Sequence, residues 1–537
     1  MGSTKQSESR LNLTDPVIPV RVAIGVTGHR KLENHSALSV AIQSSIKYVR
    51  QMIPPLKRTP LLLCILSPLA EGADRLVAKE IIKIPGSILE VVLPLQKDDY
   101  IQDFETVESK AEFEELISKA SNVKILTSKG GRAEAYEQVG RYIVDQCDVL
   151  IALWDGEEAS GKGGTQEIVQ YARDTKCPLV WIHTKDPIQI TVEPGRSLSV
   201  RSLHSLDDYN SERVKASKYE KQLKKALEFF TGNAGSAGLP FDRYYPILEY
   251  ILQHYIRIDI LALRYQHWHY RVESLLYTMA FTAVFIASFQ NIFLPKYRII
   301  LVSEVVLMLG ILAIIAISNR QKWHNKWIDY RFLAERLRSS LFLALADIEI
   351  QTLRPPRHLS LAYSPEDWMI IAFFSIWRRR PRLAEPEPYQ FKSLESFILK
   401  AWIQDQIHYH ESTKKRHYRR YLSMNVTSYV MFGLTILVTI LFIANVSPFD
   451  NFLSFAATVF PAIAASITAI QTQRDYLRNS MRSSEMARHL EEIRAKMMAT
   501  EEHSDFLELL KETEETMLHE NEDWRVVVRF HTPEIPI

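Results

Sequence analysis

Four long apolar runs constrain this chain more than any other feature. LLYTMAFTAVFIASFQNIFL (275–294), LSMNVTSYVMFGLTILVTILFIANV (422–446) and FLSFAATVFPAIAASITAI (452–470) carry no charge, and IILVSEVVLMLGILAIIAI (299–317) carries one, Glu304. A helix needs ~20 apolar residues to cross the hydrocarbon core of a bilayer. One such run reads equally well as a buried core helix, but four in one chain of 537 residues predict membrane spans. Short turns around Pro295 and Pro448 predict that the spans form two hairpins. Glu304 is a pore candidate, because an ionisable residue inside a span faces a bundle interior or a water-filled path. Arg298 lies six residues away, which fits an interfacial position equally. Pro461 is expected to kink the fourth span.

The flanks of the runs set a direction. Arg264 and Arg271 precede the first run, and Arg320, Lys322, Lys326 and Arg331 follow the second. KKRHYRR (414–420) precedes the third, and Arg474, Arg478 and Arg482 follow the fourth. The outer turns hold only Lys296 and Arg298. The positive-inside rule then predicts a multi-pass protein with both termini in the cytoplasm. The polar start, MGSTKQSESRLNLTDP, lacks the apolar core of a secretory signal, and Gln6 stands where a myristoylation motif has Ser or Thr. Cys64, Cys147 and Cys177 have no CxxC spacing, which fits free thiols in a reducing compartment and no metal site. With 65 basic and 63 acidic residues, no global charge excess points to nucleic acid.

The first third of the chain has a different rhythm. Six short apolar runs read as strands: 21–26, 61–66, 88–93, 123–126, 149–154 and 179–183. Helical patterns lie between them, at roughly 36–52, 72–83, 106–120, 134–146 and 164–175. Near-continuous β-branched strands alternating with helices predict an α/β Rossmann-like domain built on a parallel sheet. The chain divides into a polar tail (1–19), this domain (20–211), a helical linker (212–273), a membrane unit (274–352), a Pro- and Arg-rich linker (353–400) and a second membrane unit (401–537). Within these, 186–211 reads as a loop-rich tail, GNAGSAG (232–238) as a flexible break and WMIIAFFSIW (368–377) as an interfacial segment too short to span. The membrane units form an internal repeat of pattern. Each has a Tyr/His/Arg-rich entry, two spans and a long polar-faced helix. The aromatic and histidine cluster at 265–270 reads as an interfacial belt rather than a metal site.

Three loops follow strands of the first domain. In GVTGHR (25–30), Gly25 and Gly28 allow a tight turn or a close approach of backbone N–H groups to phosphate, with Thr27, His29 and Arg30 beside them. A plain turn, with Gly25 inside the strand, fits the same letters. In SPLAEGADRLVA (67–78), Ser67, Glu71 and Gly72 lead into a helix with Asp74 in its first turn, either a ligand contact or a cap. In WDGEEASGKGGTQEI (154–168), Asp155 and Gly156 leave a strand. Gly163, Gly164 and Thr165 then open a helix that carries Glu167, a possible ribose contact, acid–base group or dipole partner. Lys162 reads as a phosphate partner or a solvated lysine. Parallel strands end on one edge, so the three loops are expected to share one crevice.

These motifs resemble the SLOG superfamily, named after the DNA-processing protein Smf/DprA and the cytokinin-activating enzyme Lonely Guy. SPLAEGAD is similar to the Ser-x-Leu-Ala-x-Gly-x-Asp signature of the DprA branch, and VVLPLQKDDY (91–100) to the Pro-x-x-Gln loop of its small bacterial relatives. GGTQEI resembles the Lonely Guy signature, Gly-Gly-x-Gly-Thr-x-x-Glu, but only one residue separates Thr165 from Glu167 and no PGG precedes them. The hairpins, each followed by a helix such as WIDYRFLAERLR (327–338), resemble SLATT membrane effectors, and this chain looks like two such units.

The resemblance implies a membrane effector of bacterial anti-phage defence in the inner (cell) membrane. It would sense a nucleotide-derived second messenger, such as a cyclic ADP-ribose isomer or a cyclic nucleotide, and would oligomerise as a homo-oligomer or open a pore. Its partners would be the lipid bilayer and that ligand, with no catalytic residue, cofactor or metal. An alternative reading is a membrane-anchored nucleotide N-glycosidic hydrolase, with Glu167 and Asp74 in acid–base roles. A nucleic-acid binder is the third reading, opposed by the neutral charge and the lack of a basic–aromatic stripe in 20–185.

Overall fold

A computed structural model describes residues 16–126, 131–157, 164–196, 200–350, 367–383, 391–444 and 448–529. It divides into two compact units. One comprises Val17–Arg213 with Pro365–Arg378, and the other Met1–Pro16, Val214–Ser364 and Arg379–Ile537.

The first unit is a seven-stranded sheet. Its strands are β1 (Val20–Gly28), β2 (Leu61–Ser67), β3 (Ile88–Leu93), β4 (Asn122–Ile125), β5 (Val149–Trp154), β6 (Leu179–His183) and β7 (Ile190–Glu193), in the order β4-β3-β2-β1-β5-β6-β7. All pairs are parallel except β6–β7. The connections carry α1 (His35–Gln51), α2 (Ala73–Ile82), α3 (Lys97–Tyr100), α4 (Val107–Ser118), α5 (Arg132–Gln146) and α6 (Thr165–Asp174), and α7 (Val200–Ser211) follows the sheet. Strands β1 to β4 build outward in one direction, and β5 then returns to the far side of β1. That reversal opens a crevice at the carboxyl ends of β1 and β5, where connecting segments leave in opposite directions.

Apolar strand and helix residues build the core together. Ala23, Leu66, Leu150 and Ala152 from the sheet meet Val139, Ile143, Val144, Ile168 and Val169 from α5 and α6, all buried. The three cysteines are free and buried here. Two parts of the expected loop-rich tail are ordered. The edge strand β7 pairs with β6 from Leu179↔Glu193 to Ile182↔Ile190. Helix α7 is held by Asp207, whose carboxylate accepts the N–H groups of Lys57, Arg58 and Thr59 at 2.8–2.9 Å. Both are short and follow Pro- and Gly-containing stretches, so their periodicity is weak in the sequence.

The second unit is helical: α8 (Ala216–Ala237), α9 (Phe241–Phe293), α10 (Leu301–Gln321) and α11 (Trp323–Leu345), then α13 (Phe391–Ile398), α14 (Asp405–Ile443), α15 (Asp450–Arg474), α16 (Tyr476–Ala499) and α17 (His503–Arg529). The helix between them, α12 (Trp368–Trp377), belongs to the first unit. It is no interfacial segment. Met369, Phe373, Ile376 and Trp377 are buried, Trp368 stacks on Tyr209 with ring centroids 5.6 Å apart, and the Ser375 hydroxyl donates to the Pro19 carbonyl at 2.7 Å. The region expected as a linker therefore carries a core element of the sheet unit. GNAGSAG is no break either, since α8 runs through Gly232 and Gly235 and stops at Gly238, left-handed at φ 68°. Packing outweighs glycine's low helix propensity there: Ala234 is fully buried and Phe230 packs near Phe342 and Phe397.

Four helices are long and apolar enough to cross a membrane; they contain the runs at 299–317 and 452–470, and cover the other two as far as Phe293 and Ile443. The apolar part of α9 packs on α10 through Val272, Leu276 and Ile311. Gly310 admits this approach, because a Cβ there would lie 2.7 Å from Met279 Cε. Helices α14 and α15 meet through Val438, Leu453 and Ala456, with the Ser428 and Thr468 hydroxyls 3.1 Å apart. Phe455 of α15 lies edge-on to Phe285 of α9 at 5.2 Å. The outward faces stay apolar: Val302, Val305, Val306, Met308, Leu309 and Leu312 of α10 are each more than half exposed. A contiguous face of this kind calls for an apolar solvent. Both apolar helices that lead into a polar one end in the same device. Lys322 (φ 54°) separates α10 from α11, and Asp475 (φ 49°) separates α15 from α16. Glu304 sits in the first turn of α10, half-buried, where the helix dipole favours a carboxylate.

Candidate functional site

The GVTGHR loop lies between the other two. His29 donates its N–H to the Leu153 carbonyl at the end of β5 (3.1 Å), and its carbonyl accepts the N–H of Ala73 at the start of α2 (3.0 Å). Two glycines make this possible. A Cβ on Gly28 would lie 2.5 Å from Ala73 Cβ and 2.6 Å from the Leu153 oxygen. A Cβ on Gly72, itself at φ 78°, would lie 2.3 Å from the Arg30 oxygen. Gly28 and Gly72 thus bring chain against chain; at Gly28 the sequence offers either a tight turn or an approach to phosphate. Gly25 faces the core, where a Cβ would meet Ile143 and Cys147 of α5. Thr27 is half-buried at the end of β1.

On the β5 side, His29 Nε2 lies 2.9 Å from Asp155 Oδ1 and 3.2 Å from the Asp155 N–H. Partial burial alone would raise the Asp155 pKa. The Glu157 N–H at 3.1 Å, His29 and Lys185 outweigh it and hold the carboxyl below its usual range. Gly156 follows at φ 87°, beside the Trp181 ring.

On the β2 side, Ser67 is fully buried, and its hydroxyl accepts the N–H of Leu69, which is left-handed at φ 57°. Glu71 accepts the Ser109 hydroxyl of α4. Arg75 donates to the Leu69 carbonyl (3.0 Å) and to Glu112 (2.9 Å), with its guanidinium 4.4 Å from the Phe104 ring centroid. Asp74 is 5 % exposed, and its Oδ2 accepts the Ala70 N–H at 3.2 Å. Burial pushes its carboxyl up to about 7, against the opposing pull of that N–H and of Arg30 and Arg75.

Around Asp74 the structure gathers residues that the sequence reading left out. Tyr100, from the end of VVLPLQKDDY, is fully buried, and its hydroxyl has no hydrogen-bond partner among the described residues. Burial and the neighbouring Asp74 and Tyr136 push that hydroxyl well above its ordinary value. Arg30 is exposed, 5.5 Å from the Tyr136 ring centroid, and the Tyr136 hydroxyl donates to Asp103. Arg132 bonds Asp103 at 2.6 Å and also pairs with Asp99. Tyr100 ends the VVLPLQKDDY motif, whereas Phe104 and Tyr136 belong to none; only the fold brings α3 and α5 beside loop 67–74.

The third loop is split. Gly164 caps α6 in extended conformation, followed by Thr165, and Glu167 lies 3.6 Å from Arg141 of α5. Gly163 and Lys162 lie outside the described residues. The arrangement presents an accessible cation (Arg30) and an ionised, partly exposed carboxylate (Asp155), with a buried carboxyl raised to about 7 (Asp74) and a fully buried phenol (Tyr100) near Arg30. That set suits a ligand with both anionic and hydrogen-bonding groups. Among the described residues no cluster of three His, Cys, Asp or Glu could hold a metal ion.

Residues 399–524 match the family model described as "SMODS and SLOG-associating 2TM effector domain 1". This stretch runs from the turn before α14 into α17 and is less than a quarter of the chain. A comparison with curated proteins gives no match.

Proposed function

We propose that the chain is a multi-pass effector of the inner membrane whose Rossmann-like, SLOG-like sheet unit binds a nucleotide-derived second messenger and whose helical unit then perturbs the bilayer. The observation that carries the effector half is the four-helix apolar surface, with the two-span effector match over its second half. The paired left-handed breaks at Lys322 and Asp475 support reading residues 274–352 as a second unit of the same kind, each a two-span hairpin. The binding half is supported by His29, Arg30 and Asp155 beside the β1–β5 switch of the sheet, with Asp74 in the loop-to-helix turn after β2. A ligand phosphate would meet Arg30, and a ribose hydroxyl would meet the partly exposed Asp155 carboxylate. Basic flanks at one end of each span support cytoplasmic termini, and assembly as a homo-oligomer with Glu304 near its axis would complete a pore. Signal binding would have to favour the open assembly, since equal affinity for two states shifts neither.

The test is binding by the full chain in neutral-lipid nanodiscs, titrated by calorimetry with ADP-ribose, NAD, cyclic AMP and cyclic di-AMP. At least one of these is expected to bind to wild type and to lose about tenfold or more of its affinity in Arg30→Glu. Equal affinity of the two proteins for every probe would remove the sensor reading. The second reading, N-glycosidic hydrolysis, is favoured by the near-neutral Asp74 carboxyl, a usable acid. Its partner Glu167 is instead paired with Arg141. Turnover of the same probes, abolished by Glu167→Gln, would establish it.

A further inference from the structure

The helical unit contains a cavity of about 490 Å³, separate from the loops of the sheet unit. Its walls come from α9, α11, α14, α16 and α17, with Arg474 contributed by the end of α15. The size lies within the ~300–1,000 Å³ of small-molecule sites. The lining holds six arginines against two glutamates. Glu335 pairs with Arg331 and Arg338, and Glu520 with Arg482 at 3.2 Å. Arg474 is held by Glu273 (3.3 Å) and stacks 3.8 Å from the Tyr270 ring centroid.

Arg416 and Arg420 remain. They stand one turn apart on α14, both exposed, so the cavity opens on their side. Arg416 donates to the Thr413 hydroxyl at 3.3 Å, and among the described residues neither arginine has a carboxylate within 4 Å. Like charges at this spacing destabilise a helix unless something compensates them. Three further lining groups lack a partner among the described residues: His410 Nδ1, His417 Nδ1 and Gln406 Oε1. Tyr409, Tyr476 and Trp524 supply aromatic surface on the same walls.

We propose that this cavity is a second anion site, taking a phosphate-bearing molecule whose phosphate is forked by Arg416 and Arg420. Guanidinium pairs bind phosphate in bidentate geometry, which a lone ammonium does not reproduce. The phosphate has two sources. Arg420 lies two residues before the third apolar run and Arg474 four residues after the fourth, which puts the cavity beside the membrane surface and within reach of an anionic lipid headgroup. The aromatic walls equally suit a soluble nucleotide. The site does not depend on the sheet unit binding anything.

The test uses the full chain in nanodiscs, as wild type, R416Q/R420Q and R416K/R420K, with thermal unfolding and calorimetry as readouts. One arm adds ATP or inorganic pyrophosphate to neutral phosphatidylcholine discs. The other compares those discs with discs containing cardiolipin. Wild type is expected to gain stability in at least one arm. The Gln pair should lose about tenfold or more in affinity, and the Lys pair should be restored only in part. Binding that persists in the Gln pair is assigned to the sheet unit, which holds neither of these arginines. A response in the first arm identifies a soluble ligand, and one in the second a headgroup. No stabilisation in either arm, or an equal response in wild type and the Gln pair, overturns the proposal.

Discussion

Asp74→Asn is expected to stabilise the sheet unit above neutral pH and to do nothing of the kind in acid. Asp74 is buried at 5 % exposure, and its pKa rises from 3.8 to about 7 on folding. A carboxyl raised in this way binds its proton more tightly folded than unfolded. Its contribution is full below pH 3.8, declines as pH rises and is lost above about 7. Each pH unit in that window is worth about 1.4 kcal/mol, so the whole difference approaches about 4 kcal/mol. The Asn amide oxygen can still accept the Ala70 N–H, so the variant keeps the local bond and has no titration. All three cysteines lie buried in the sheet unit, so maleimide labelling of the full chain under mild denaturant reports the opening of that unit alone. Comparing the two proteins at each pH cancels the reagent's own pH dependence. Between pH 5.5 and 7 the ratio of labelling rates, wild type over Asp74→Asn, should climb by roughly fifteenfold, between about 1 and 2 kcal/mol. Profiles that stay parallel across this window would refute a carboxyl held neutral by burial.

Three further outcomes follow from particular contacts. Gly28→Ala should cost about 1–3 kcal/mol by overpacking against Ala73 and Leu153, and Gly72→Ala more, because strain at φ 78° adds to the clash with the Arg30 carbonyl. Gly86→Ala has a similar φ of 80° but open space and should cost only about 1 kcal/mol; the same labelling assay ranks the three. Tyr100→Phe removes a buried hydroxyl without a partner among the described residues, so thermal unfolding of the protein should be unchanged or slightly higher. Val306→Lys places a charge on the exposed apolar face of α10 and should cost about 2.5–3.5 kcal/mol of insertion, read as loss from the carbonate-resistant membrane fraction.

The large divisions of this chain were legible because each rests on a long or repeated signal. Runs of twenty apolar residues and six β-branched strands leave few alternatives, and the strand bounds agree within two residues at every one of them. What escaped depends on contacts distant in sequence. Helix α12 read as interfacial because it is apolar all round, which burial in a core requires as much as a membrane does. The glycines of GVTGHR and SPLAEGAD were visible, but their partners were not, since Gly28 meets Leu153 and Gly72 meets Arg30 only after the sheet forms. Tyr100 closes VVLPLQKDDY but was not read as a site residue, and Tyr136 and Asp103 carry no motif; the fold alone brings Tyr100 beside Asp74 and Tyr136, and Tyr136 onto Asp103. The arginine-lined cavity draws on helices far apart in the chain, and its sequence trace was a set of basic flanks read only as orientation.

The central claim, that a signal bound by the sheet unit acts on the membrane through the helical unit, is tested most directly by release of carboxyfluorescein from proteoliposomes containing the full chain. ADP-ribose, NAD, cyclic AMP and cyclic di-AMP are added in turn. The account predicts that one of them triggers release by wild type and fails to do so with Arg30→Glu at equal incorporation. Release that is indifferent to every nucleotide, or undiminished in Arg30→Glu, would contradict it.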